Sequence, residues 1–354
     1  MTTRRQFIAG MLAAGLGPVP TWADAGSPAF LSAAKTASGD HVLVGLRPDL
    51  SEAFRIPLPT RGHAAAAHPN RPEAVGFARR PGTFALVIDC RSGQVAARMD
   101  APTGRHFYGH GTFSRDGDLL FTTENDYEAA RGVIGVWDVT RGYQRIAEFS
   151  SGGVGPHEMV LMPDGETLVI ANGGIETHPD SGRAKLNIPM MRPNLSYCRL
   201  EGTVLDRVEP DSTMRRNSIR HLAVRPDGTV IFGMQWQGEA EQIVPLAGTH
   251  RLQEPLRLLE APDQVWRDLS GYVGSVAASQ SGDRVAVTSP RGNRVVEFDA
   301  DGTFTTVSVH QDVCGLAGTD EGFVATTGNG LITSLTGQTM QQSELAFDNH
   351  LLRL

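Results

Sequence analysis

Cysteine is scarce in this chain: three residues in 354, Cys90, Cys198 and Cys314, far apart from one another. That excludes a disulfide-built scaffold and any CxxC zinc or redox motif. Beyond the first 25 residues, no apolar run approaches the ~20 residues a membrane-spanning helix needs. Lysine and arginine form no cluster, and the net charge is −7. Mild acidity without a basic patch argues against nucleic acid as the main partner, because phosphate neutralisation supplies most of that affinity. Sustained helical periodicity is missing, which counts against an α/β barrel of similar length. No nucleophile elbow, Walker loop, HExxH helix or EF-hand is present. What the chain has in quantity is glycine, 40 residues, and proline, 21. Such a composition describes one large, turn-rich body and is silent on chemistry.

The first residues carry an address. Arg4-Arg5-Gln6-Phe7 precedes a short apolar stretch, Ala9 to Leu16, and Ala23-Asp24-Ala25 follows as a small-x-small cleavage site. A cationic pair, a brief apolar segment and an A-x-A end read as a secretory signal over residues 1–25, too short for an anchor. Adjacent arginines followed by Phe resemble the twin-arginine export signal, an ordinary secretory leader being the alternative. The expectation is a periplasmic protein of residues 26–354 beginning at Gly26.

A repeat runs through those residues. Its unit is a short apolar strand, a turn of Asp-Gly type, and a second strand rich in Val, Leu, Ala and Thr. Gly111 to Gly117 with Leu119 to Thr123, Glu158 to Gly165 with Leu168 to Ala171, and Leu222 to Gly228 with Val230 to Gly233 are the clearest copies. Gly accepts positive φ and Asp bonds its own backbone, so these are tight turns. A third strand (Ile134 to Asp138, for example) and a more polar fourth (Arg145 to Phe149) complete each unit. Four strands per ~40–50 residues is the period of a propeller blade. Six units span about Arg61 to Gln338. The ends leave three strands at residues 29–59 and one at 345–354. Pairing the C-terminal strand with the three N-terminal ones makes a seventh blade and removes open sheet edges. The predicted fold is therefore an all-β, seven-bladed β-propeller with a long insertion at 174–195. A six-bladed ring with two flanking strands is the competing topology.

At the start of each innermost strand the repeat places His63, His110, His157 and His221, and the C-terminal strand places His350 at the matching spot. The fifth and sixth copies have Gly274 and Cys314 there. Innermost strands surround the axial channel, so equivalent positions should lie at one height. Five of the 11 histidines share this slot. Neutral imidazole is the commonest metal ligand, and a thiolate adds softness suited to copper, zinc or iron. The expected site is thus a transition-metal centre, iron or copper, drawn from His63, His110, His157, His221, His350 and Cys314. His106, Glu124, Asn125, Asn172, Gln235 and His178 are its expected supporting or channel-lining residues. Glu158 and Arg220, next to ring histidines on extended backbone, should point the other way. Cys90 and Cys198 read as small core residues. The bland alternative makes each histidine a structural staple to a neighbouring blade.

The segments Gly109-His110-Gly111, Thr123-Glu124-Asn125-Asp126, Gly155-Pro156-His157-Glu158, Ala171 to Pro179, Ser218 to Ala223 and Asp312-Val313-Cys314-Gly315 together resemble an uncharacterised bacterial family of twin-arginine-exported propellers. Its members are found beside imelysin-type periplasmic iron-uptake proteins and di-haem cytochrome-like proteins. The resemblance implies export, a propeller fold and an iron-linked setting, and it supplies no catalytic residue. Three functions follow as expectations: metal binding in iron acquisition, a non-enzymatic scaffold for iron-uptake partners docking on the 174–195 loop, or a hydrolase or oxidoreductase using a channel histidine.

Overall fold

A computed structural model describes residues 19–78 and 82–354. Among them, 28 strands form seven four-stranded antiparallel sheets arranged around one axis. Blade I comprises Gly62–Ala67, Glu73–Ala78, Phe84–Asp89 and Gln94–Asp100; blade II runs from Arg105–Phe113 to Gln144–Ser150. Blade III starts at Pro156–Leu161, blade IV at Asn217–Val224, blade V at Ser275–Ala278 and blade VI at Val313–Thr319. Blade VII is the composite one: Ala346–Arg353 pairs with Phe30–Lys35, which continues to His41–Leu46 and Glu52–Leu58. The seven-bladed topology with its split closing blade is therefore the observed one, and the six-bladed alternative falls.

The repeat's Asp-Gly turns explain the hairpins. Gly117, Gly165 and Gly228 all have positive φ, between 75° and 84°. The preceding Asp116, Asp164 and Asp227 each accept a backbone N–H two residues on, from Asp118, Glu166 and Thr229. Each blade is then apolar on both faces, and seven separate cores fill the wedges between adjacent blades. The wedge of blades VII and I holds Leu31, Leu43, Ile56, Ala74, Ile88 and Cys90, for example. Cys198 lies in the core between blades II and III. Both cysteines are the core residues their setting suggested.

One short α-helix, Asp263–Asp268, interrupts the sheets among the described residues, besides a few 3-10 turns, and no described helix is long and apolar enough to cross a membrane. The arginine pair and apolar stretch of the expected leader, residues 1–18, lie outside the described residues. The expected cleavage site folds into a 3-10 turn, Trp22–Ala25, with Ala25 buried. There the Trp22 indole N–H donates to the His68 carbonyl at 2.9 Å.

Candidate metal centre on the propeller axis

Regular pleating alone would send alternate side chains to opposite faces. The innermost strands depart from it at the ring positions. Register shifts occur at Gly62/Ala65 in blade I, Phe107/Gly111 in blade II, Pro156/Glu158 in blade III and Ile219/His221 in blade IV. In blade VII, residues 347–351 bulge opposite the Ser32/Ala34 shift. Extra residues in a strand bend it and re-aim side chains. Here they turn His63, His110, His157, His221 and His350 onto the axis. Blade V, with Gly274 in the slot, keeps an unbroken register through Ser275–Ala278 and adds no side chain.

The five imidazoles meet. Their ring centroids lie 4.6–6.5 Å apart across neighbouring pairs, mostly edge to face. Room for them is made by Gly109 (φ +99°), where a Cβ would stand 2.6 Å from the His63 ring. Two trios present ligand atoms within 4.8 Å of one another: His63, His110 and His350, and Glu158, His221 and His350. Buried Nε2 of His110 and Nδ1 of His157 meet no hydrogen-bonding group. An unpaired buried nitrogen is costly, and a metal ion is one way to satisfy it.

Electrostatics keeps these nitrogens neutral. Burial, reinforced by the neighbouring His350, His63 and His221, holds the His110 imidazole well below its ordinary value. Burial and then Arg220 do the same to His157. His221 is pushed down to about 3, by burial first and Arg220 second. A neutral imidazole has the lone pair a metal requires.

Two expectations are corrected here. Cys314 does not join the histidines. It occupies the register shift of blade VI, but its Sγ faces the Thr326 and Phe347 carbonyls at 3.5 and 3.4 Å, within the core between blades VI and VII. Burial pushes its thiol up to about 12, so it stays protonated. Glu158 and Arg220 do not point away. The shift at Pro156/Glu158 breaks the alternation, and Glu158 faces His221 Nδ1 at 3.3 Å and His110 Nδ1 at 3.8 Å. Its Oε2 also accepts the Leu222 N–H at 3.1 Å. Burial raises its carboxyl to about 7. Repeat spacing carried no sign of this, since a one-residue bulge leaves no mark in an apolar-polar pattern.

The supporting residues divide. Gln235 lines the mouth of the channel, its amide donating to the Val273 carbonyl at 3.2 Å. His106 stands one layer out: its ring lies 5.3 Å from that of mouth-lining Tyr108, and its Nε2 is 3.1 Å from the Asn125 amide. Asn125 in turn donates to the Thr177 carbonyl at 3.1 Å and so holds the long insertion. Glu124 is not a channel residue. It is fully buried inside blade II, clamped by Arg145 at 2.5 and 3.0 Å and by the Thr122 hydroxyl at 2.9 Å. Nor is Asn172, which bonds Asn194 and Ser196 within blade III and accepts the hydroxyl of Ser151 from the link between blades II and III. His178 caps a 3-10 turn through Asp180 N–H and packs 5.0 Å from the Tyr127 ring, away from the axis.

The histidine layer divides the axial channel. Because the innermost strands run in one direction, residues before the ring positions line one side and residues after them the other. On the entry side lies a cavity of about 220 Å³, floored by His63, His157 and His221. On the far side a cavity of about 580 Å³ is lined mostly by small and apolar strand residues, together with His110, Glu158, His350, Arg225 and Arg353.

The hydrazine synthase of Kuenenia stuttgartiensis has a similar fold, with a TM-score of 0.60, 14% sequence identity and 89% of each chain covered. At that identity the likeness concerns architecture alone. Among curated proteins none matches the sequence. Residues 56–354 match the family described as "Protein of unknown function (DUF1513)", and the chain belongs to that family.

Proposed function

We propose that this protein binds a transition-metal ion on the propeller axis, with His63, His110, His157, His221, His350 and Glu158 as the ligand pool. The observation that carries this is the meeting of five imidazoles, of which His110, His157 and His221 are buried and held neutral, and two of these three hold a nitrogen with no other partner. Two to four direct ligands with the remainder orienting them is the realistic number for such a site. With Cys314 outside the set the donors are nitrogen and carboxylate oxygen, a combination that suits iron or copper(II) and lacks the soft donor copper(I) prefers. The likeness to families beside imelysin-type and di-haem cytochrome-like proteins favours iron, and an exported protein with a twin-arginine leader would meet that ion in the periplasm. The scaffold alternative, docking on the 174–195 loop, has no comparable cluster of unsatisfied groups behind it.

Metal content of the purified, folded protein tests the reading. Wild type is expected to retain close to one equivalent of iron or copper after dialysis, and the His110→Ala/His157→Ala variant to lose at least tenfold in affinity, about 1.4 kcal/mol. Equal metal content in the two proteins, both folded by circular dichroism, would overturn it.

A further inference from the structure

We propose that the vestibule on the entry side of the histidine layer is a binding site for a small oxyanion, a carboxylate or a phosphate, held by Arg183, Lys185 and Arg220. The idea deepens the metal reading and rests on it for its purpose, since an anion seated there would lie against the same imidazoles that would hold the ion. Three observations carry it.

The first is charge. Arg183, Lys185 and Arg220 line the cavity, and no Asp or Glu does among the described residues. Asp348, beside the lining residue Asn349, is engaged by Arg61 at 2.8 Å. Glu158 lies on the other side of the histidine layer. A further cation, Arg291, stacks 4.5 Å over the ring of lining Tyr272. Lys185 is held below its ordinary value by desolvation, then by Arg220 and Arg291. Like charges are thus gathered against their own repulsion, and a bound anion relieves it.

Construction is the second observation. Two of the cations come from residues 174–193 of the insertion, which lie outside the blade strands; the insertion's last two residues, Asn194 and Leu195, begin the third strand of blade III. Gly174 φ is +74°, its carbonyl accepts the Asn187 amide at 2.9 Å, and Asn187 Oδ1 accepts the Glu176 N–H at 2.8 Å. This clip brings Arg183 and Lys185 over the channel, where the Lys185 ammonium donates to Gln237. Third, the size and lining fit. A cavity of about 220 Å³ is below the ~300–1,000 Å³ of pockets for larger ligands. Tyr108, Gln235 and Asn349 add neutral groups that can bond an oxyanion alongside the charges.

An ion brought as an anionic carboxylate chelate would therefore be drawn to this face before reaching the imidazoles. Titration calorimetry with citrate and, separately, with inorganic phosphate tests the site in wild type, in Arg183→Gln/Lys185→Gln and in His110→Ala/His157→Ala. Support is saturable binding of one or both probes to wild type, weakened about tenfold or more in Arg183→Gln/Lys185→Gln, the loss of one charge-assisted bond. Citrate alone binding identifies a carboxylate, phosphate alone a phosphoryl group. Binding that survives in His110→Ala/His157→Ala upholds the anion site even where metal binding has failed. Metal binding with no anion uptake at millimolar concentration, or affinity unchanged in Arg183→Gln/Lys185→Gln, overturns the site and leaves the metal reading standing. Protection of the 174–195 loop from protease by either anion gives a second readout on wild type alone, and its absence together with null calorimetry counts against the proposal.

Discussion

Burial acts in opposite directions on the two kinds of group that meet at the axis. It lowers His110, His157 and His221, so His221 is neutral above about 3, and it raises Glu158 to about 7. The groups facing Glu158 are His110, His221 and the Leu222 N–H, with His350 the charge that favours its ionised form. A metal needs the carboxylate, so near neutrality its binding must expel a proton from Glu158. Affinity should rise as pH increases toward about 7 and level off above it. In Glu158→Gln that rise should flatten and fewer protons should be released, measured by calorimetry in buffers of different ionisation enthalpy; an unchanged pH profile would exclude Glu158 from the site. The linkage for the metal-free fold has the same origin. The folded carboxyl keeps its proton between about 4.5 and about 7 while the unfolded one loses it, so this group's contribution to stability falls as pH rises through that window.

At the scale of elements, the decisive device is the bulge. Five blades spend extra residues at the ring position, and each turns an imidazole inward that regular pleating would have placed by parity. Blade VI has the same irregularity, yet its Cys314 turns into the inter-blade wedge, where a small thiol packs as an apolar group and its protonation costs nothing. The insertion is the other element with a role. Its internal clip depends on Asn187, so Asn187→Ala should free the loop, at a local cost of about 1–3 kcal/mol. Limited proteolysis should then cut within residues 176–190 several times faster while the global melting temperature stays near that of wild type. A large drop in melting temperature instead would mean that the loop is part of the cooperative core.

For the whole molecule the ring is only as strong as its closure. The last strand, Ala346–Arg353, joins the N-terminal sheet, and the Ser32 hydroxyl bonds the His350 carbonyl at 2.8 Å, so closure and site share a residue. Leu351 is 5% exposed and plugs the wedge of blades VI and VII with Phe347 and Cys314. Leu351→Ala should cost about 2–5 kcal/mol, read by denaturant unfolding. A cost below about 1 kcal/mol would show that closure tolerates a cavity at the seam.

Much of this architecture could be read before any coordinates. Asp-Gly turns at blade period, alternating apolar strands and the unmatched ends specify seven sheets and a split seventh blade, because turn chemistry and burial are local properties of the chain. The recurrence of His63, His110, His157, His221 and His350 in one slot likewise marks a common height on the axis. Direction is a different matter. Whether Glu158 faces the histidines, whether Cys314 turns away, and that Glu124 and Asn172 serve blade interiors all depend on bulges and on the packing of neighbouring blades. Residues far apart in the chain set those, such as Arg145 for Glu124 and Phe347 for Cys314. A shift of one residue reverses a side chain without altering the composition around it, so parity along each inner strand became known with the closed ring and not earlier.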